Sequence, residues 1–147
     1  MRGALTIDGQ RACMKATWPK FSERGIDRGA QEIRWIGDCR PQFVPFTLEI
    51  RYRLWSPPKV RVLRPELIRL PDNPEGALPH VYPPADDPTL CLYDPMQNQW
   101  DPTMYIAGTI VPWAFDWIAC YELWLMTGRW TGGGRHGSQL PQIGAQA

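Results

Sequence analysis

Half of the sixteen prolines lie between Pro71 and Pro102. Proline locks φ and has no amide hydrogen to donate, so a segment this rich in it can be neither a helix interior nor a central strand. The chain is thereby divided into regular structure before Pro71, regular structure after Pro102, and a long extended path between them. A structureless loop of this length in a compact domain is uncommon and is usually functional. The prolines also narrow the unfolded ensemble, which helps hold such a loop in one course.

Before the loop the pattern is that of strands. Within Phe46–Leu54, the apolar Phe46, Leu48, Ile50, Tyr52 and Leu54 alternate with Thr47, Glu49, Arg51 and Arg53. A period of two is expected of a strand with one buried and one wet face. Ser56-Pro57-Pro58 interrupts this pattern and Lys59-Val-Arg-Val-Leu63 resumes it; Glu32-Ile-Arg-Trp-Ile36 is a weaker strand. The connections are too short for crossover helices, so the strands form an antiparallel meander, of about four strands in all. Residues 1–25 are partly helix-compatible around Ala12, Met14 and Ala16, with Pro19 ending that helix.

After the loop, Ile106, Ile110, Trp113, Trp117, Cys120 and Trp124 recur at steps of three and four, the stripe of an amphipathic helix. Phe115, Ile118, Leu123 and Leu125 widen the stripe. Pro112 either lies in the first turn of a helix beginning near Thr109 or kinks a longer one. Gly128 and Gly132-Gly-Gly134 end it, and a polar tail follows. The sum is an α+β domain over residues 1–131, followed by a Gly-rich tail over 132–147.

Composition narrows the function classes. One domain of 147 residues can bury a core without disulfides or metal. A net charge of +1 gives no bulk attraction to nucleic acid or acidic lipid. No apolar run is long enough to span a membrane, and the N-terminus lacks a signal-peptide core, so a cytoplasmic protein is expected. The cysteines at 13, 39, 91 and 120 are then thiols. Their spacing, and that of His80 and His136, does not suit zinc, and neither metal nor cofactor is expected.

The loop concentrates the chemistry. Residues 51–70 hold six basic residues and one acidic one, which we read as the wet faces of two strands. Residues 71–101 hold six carboxylates and no Lys or Arg, with Cys91 among them. Carboxylates disfavour a thiolate, so this is no setting for a protease-like nucleophile. It suits a thiol that receives an acyl group from an activated donor and passes it to an amine, where a carboxylate can take a proton from the incoming ammonium. Cys13, Cys39 and Cys120 are read as small hydrophobes, Cys120 most firmly because it lies on the helix stripe. Among Asp86, Asp87, Asp94 and Asp101, at most one is expected to assist the amine.

Pro57-Pro58-Lys59-Val60 follows an alternating strand, His80 stands on a proline-bounded turn, and Leu90-Cys91-Leu92 and Gln99-Trp-Asp-Pro102 come in that order. In order and spacing this resembles a ubiquitin-conjugating (E2) enzyme over about residues 32–124. The resemblance implies a UBC-like fold in which Cys91 forms the thioester. His80 matches the His of the family's His-Pro-Asn turn, Trp100 packs under the cysteine loop, and Pro57 and Pro58 close the end of a strand; apart from the resemblance, Asp94 is read as a support of the loop. Val81 and Tyr82 stand where the family has Pro and Asn, and no Asn lies between His80 and Cys91. His80, Tyr82 or loop amides then supply the donors that the Asn would have provided; His80 is read as a loop anchor rather than a general base.

The Trp-rich ending is similar to that of bacterial E2-like proteins of antiphage operons, including CBASS and ubiquitin-like conjugation systems. There the implied partners are a CD-NTase (a cGAS-like nucleotidyltransferase) or a ubiquitin-like protein, presented by its C-terminus, with an E1-like activating enzyme as a further partner. The rivals are a catalytically inactive E2 variant acting as a scaffold, suggested by the missing Asn, and an assembly subunit that holds a nucleotidyltransferase.

Overall fold

A computed structural model describes residues 3–131; the glycine run 132–134, His136 and the polar tail lie outside the described residues. The chain begins with helix α1 (Ile7–Thr17), whose first turn is capped by the Thr6 hydroxyl accepting from the Gly9 amide at 2.9 Å. Ile7, Gln10 and Met14 form its buried face, at the three- and four-residue steps of a helix. Pro19 follows the last turn, as expected.

Four antiparallel strands follow in sequence order: β1 (Ser22–Asp27), β2 (Glu32–Cys39), β3 (Phe46–Arg53) and β4 (Lys59–Arg64). The alternation in β3 holds: Phe46, Leu48, Ile50 and Tyr52 are buried on the core side, against Ile33 and Trp35 of β2 and Val60 of β4. Strand β1 is the one the sequence does not announce. All six of its residues are exposed, so it carries no alternation and exists because the open edge of β2 satisfies its backbone. At Gly37 of β2 any Cβ would strike the Phe21 ring, so glycine is what lets that ring close over the sheet.

Thr47 and Glu49 point to the opposite face of β3 and are nevertheless buried. The Glu49 carboxylate is gripped by Arg61 at 2.7 Å and Arg34 at 3.0 Å. Burial pushes this carboxyl up, but the hydrogen bonds from Arg61 and Arg34 and the charges of Arg61 and Arg51 outweigh it and hold the group below the ordinary carboxylate range.

Helix α2 (Ile110–Thr127) closes the core, with Pro112 in its first turn and Gly128 ending it at φ 76°. Its buried face is Ile110, Val111, Ala114, Trp117, Ile118, Tyr121 and Trp124, so Trp113 and Cys120 of the expected stripe sit at its margin, half-buried. Two buried polar side chains fasten the remaining parts. Gln10 donates to the Met104 carbonyl and accepts from the Ile106 amide, tying α1 to the turn that precedes α2. Glu122 of α2 accepts from the Phe43 and Val44 amides at 3.1 and 3.2 Å, pinning the β2–β3 loop.

The proline-rich segment is more regular than a structureless loop. It contains a two-stranded hairpin, β5 (Val81–Tyr82) with β6 (Thr89–Leu90), and a 3-10 turn at Pro95–Gln97. Arg69 donates to the Ala85 carbonyl at the hairpin's tip. Asp87, beside that tip, pairs with Arg61 of β4 at 2.8 Å.

Candidate active site

Cys91 directly follows β6. Leu90 and Leu92 are each 4% exposed and turn into the core. In extended chain, successive side chains point to opposite sides, so burying both leucines turns the Cys91 side chain outward. All four cysteines are free and half-buried, so exposure alone does not distinguish them. What separates Cys91 is its place on the loop and what surrounds its sulfur.

The Cys91 thiol donates to the Tyr82 hydroxyl at 3.4 Å and to the Tyr93 carbonyl at 3.6 Å. The hairpin makes the first contact: Tyr82 pairs with Thr89 and Val81 with Leu90, which brings Tyr82 alongside a residue nine positions away. Burial first, with the nearby charges of Cys91, Tyr93 and Asp94 adding to it, pushes the Tyr82 phenol well above its ordinary range. It therefore stays protonated, an O–H donor, at neutral pH. Burial likewise raises Tyr93.

His80 reaches the cysteine through its main chain. Its carbonyl accepts from the Cys91 amide at 2.9 Å and from Trp117 Nε1 at 2.9 Å. It does so in the left-handed region, at φ 60°, which costs a non-glycine residue about 1–2 kcal/mol. The two hydrogen bonds, at about 0.5–1.5 kcal/mol each, offset that cost. The His80 ring lies 4.8 Å from the Trp130 ring, which in turn lies 5.2 Å from Trp117. Tyr93 packs on Trp113 at 5.6 Å. Tryptophans 113, 117 and 130 thus support the cysteine loop, a role that the helical spacing of Trp113 and Trp117 does not announce. An indole N–H on a largely buried face was the available signal, since such a donor needs an acceptor.

Trp100 is buried, edge-on to Tyr52 at 5.7 Å, and donates from Nε1 to the Thr109 hydroxyl at 3.1 Å. It locks the far end of the loop to the start of α2. Pro57 and Pro58 lie between β3 and β4, Pro58 buried, and line a groove shared with Tyr82. Asp94 is half-buried; its carboxylate accepts from the Met96 amide at 2.9 Å and adds its charge to those acting on Tyr82. The other loop carboxylates are otherwise engaged or open to solvent: Asp87 on Arg61, Asp101 on the Thr103 amide at 2.7 Å, and Asp86 exposed. At Cys39, burial, with Asp38 adding to it, pushes the thiol up to about 11.

An N-terminal helix, a four-stranded antiparallel meander, a proline-braced cysteine loop and a tryptophan-bearing closing helix define an E2-like protein with a UBC-like fold. More specifically, the chain belongs to the type II CBASS E2 proteins, whose family model matches residues 10–137. Among curated proteins none matches the chain. Membership places it in an antiphage conjugation system of the CBASS kind. Among the described residues, no helix is long and apolar enough to cross a membrane.

Proposed function

We propose that the protein carries the C-terminal acyl group of another protein as a thioester on Cys91 and transfers it to an amine, the carried protein being the CD-NTase of its operon. The observation that carries this reading is the outward thiol between two buried leucines, with the Tyr82 hydroxyl 3.4 Å from it. Cys91 Sγ attacks the activated carbonyl, and the donor's leaving group departs with the proton the thiol gives up. An amine then attacks the thioester, the tetrahedral intermediate collapses, and Cys91 leaves as the thiol.

Tyr82 takes the place of the family's Asn. While the thiol is free, it donates to the phenol oxygen. Once the sulfur is acylated that donor is gone, and the Tyr82 O–H is available to the oxyanion. His80 holds the loop in register through its carbonyl, and Asp94 is the carboxylate nearest this chemistry in role. Activation occurs elsewhere, so an E1-like enzyme, where the system has one, acts upstream.

Incubating the protein with its operon partners tests the reading. A reductant-sensitive adduct on non-reducing gels is expected for the wild type and not for Cys91→Ala, while Cys91→Lys traps a reductant-stable product. An adduct that persists in Cys91→Ala overturns the nucleophile assignment. Tight partner binding without any adduct supports the scaffold reading instead, which the missing Asn favours.

A further inference from the structure

A groove of about 710 Å³ is lined by Tyr82, whose hydroxyl lies 3.4 Å from the Cys91 sulfur, and by Leu90 and Leu92 on either side of that cysteine in the chain. Its lining joins Tyr82, Tyr93 and the Pro57–Pro58 pair to Arg51, Arg53 and Lys59. One carboxylate, Glu32, also lines it, against those three cations. Arg51 reaches Glu49 only at 4.0 Å, and that carboxylate is already held at 2.7 and 3.0 Å by Arg61 and Arg34. Among the described residues, Arg53 and Lys59 make no ion pair. Basic residues on the wet face of a strand are ordinarily paired or spread out. Here three converge on one concavity, where fixed charges of one sign focus their field. The arrangement discriminates between occupants: an ammonium is repelled, whereas an extended segment bearing carboxylates is held.

We infer that this groove seats the acyl-bearing segment of the carried protein, and that Arg53 and Lys59, together with Arg51, select a segment with acidic side chains upstream of the carbonyl Cys91 attacks. This rests on the reading of Cys91 as the acyl carrier. The acceptor amine is the wrong occupant on charge. The aromatic and proline walls offer flat apolar surface to an extended chain, and the cations supply selectivity more than affinity.

The test uses two short synthetic peptides ending in Gly as mercaptoethanesulfonate thioesters, one with Asp and Glu upstream and one with Lys and Arg. In the loading step Sγ forms a bond to the peptide carbonyl carbon. Mercaptoethanesulfonate leaves with the proton lost by Cys91, and nothing is oxidised or reduced. Intact-mass spectrometry follows the rate on the full chain. The acidic peptide is expected to load about tenfold faster at low salt. That gap should narrow as salt rises, and the double reversal Arg53→Glu/Lys59→Glu should invert the preference. Equal rates for the two peptides, or a preference that the reversal leaves unchanged, overturns the inference.

The same peptides as C-terminal amides, labelled and titrated by fluorescence anisotropy against Cys91→Ala, measure groove selectivity without chemistry. Selective binding of the acidic amide with no loading of either thioester upholds the groove and defeats the thioester reading. Unselective binding alongside efficient loading of both does the reverse. Failure to bind or load either peptide overturns both.

Discussion

The Cys91 amide and the His80 carbonyl are joined at 2.9 Å, and the indole of Trp117 donates to that same carbonyl oxygen. The histidine is thus tied to the cysteine through its main chain, while its ring packs on Trp130. A positioning role and a general-base role predict different behaviour on substitution.

For His80, a residue that tolerates positive φ should preserve the reaction. His80→Asn is expected to keep a single-turnover acyl-transfer rate within a few-fold of wild type and an unshifted pH profile. His80→Ala, which keeps the left-handed backbone and loses the ring's packing on Trp130, should be less stable by about 1 kcal/mol. Stopped single-turnover assays across pH check this. A titration lost in His80→Asn would make the ring a base.

Tyr82→Phe removes the hydroxyl that meets the sulfur while keeping the ring. Aminolysis of the thioester should slow by about 10²-fold, the order seen when an oxyanion donor is removed, with the Cys91 adduct accumulating as a consequence. Tyr82→Asn should retain more activity than Tyr82→Phe. Gel-resolved rates of adduct formation and discharge separate the two steps.

Glu49 couples the sheet's stability to pH. Its carboxyl is lowered in the folded protein, so its stabilising contribution is fully present above the unfolded value of about 4.3. It is lost as pH falls through the lower folded value. Glu49→Gln is expected to cost about 1–3 kcal/mol at neutral pH, the order for hydrogen bonds to charged groups. The gap to wild type should shrink below pH 4, as followed by urea denaturation at several pH values.

Cys39 should be slow to alkylate. With its thiol pushed up to about 11, almost none is thiolate at pH 7. Peptide mapping after iodoacetamide treatment of the native protein should show Cys39 unmodified at neutral pH, with modification rising as pH is raised toward that value.

Trp100→Ala should cost about 3–5 kcal/mol by emptying a buried indole site. Trp100→Phe should cost less, since it keeps a ring against Tyr52 and loses the bond to Thr109 and only part of the indole volume. Thermal unfolding of both variants checks the order.

The meander and α2 were legible because each follows from a local period, two residues for Phe46–Leu54 and three to four for α2, and α1 was legible in part from its end at Pro19. Strand β1 was not legible, because it has no buried face and forms only where β2 offers unpaired backbone. Nor was the use of the basic residues, since a period places Arg61 and Lys59 on the same wet face without saying that Asp87 and Glu49 meet the first while the second borders the groove.

The sequence by itself determined that a braced cysteine loop separates a sheet from a helix, since proline and side-chain periodicity act within a few residues. Only the tertiary structure decided that Tyr82 meets Cys91, that Trp117 and Cys91 share the His80 carbonyl, and that three cations gather in one groove. Those contacts depend on hairpin register and on the packing of α2 beneath the loop, which bring together side chains that no local pattern relates.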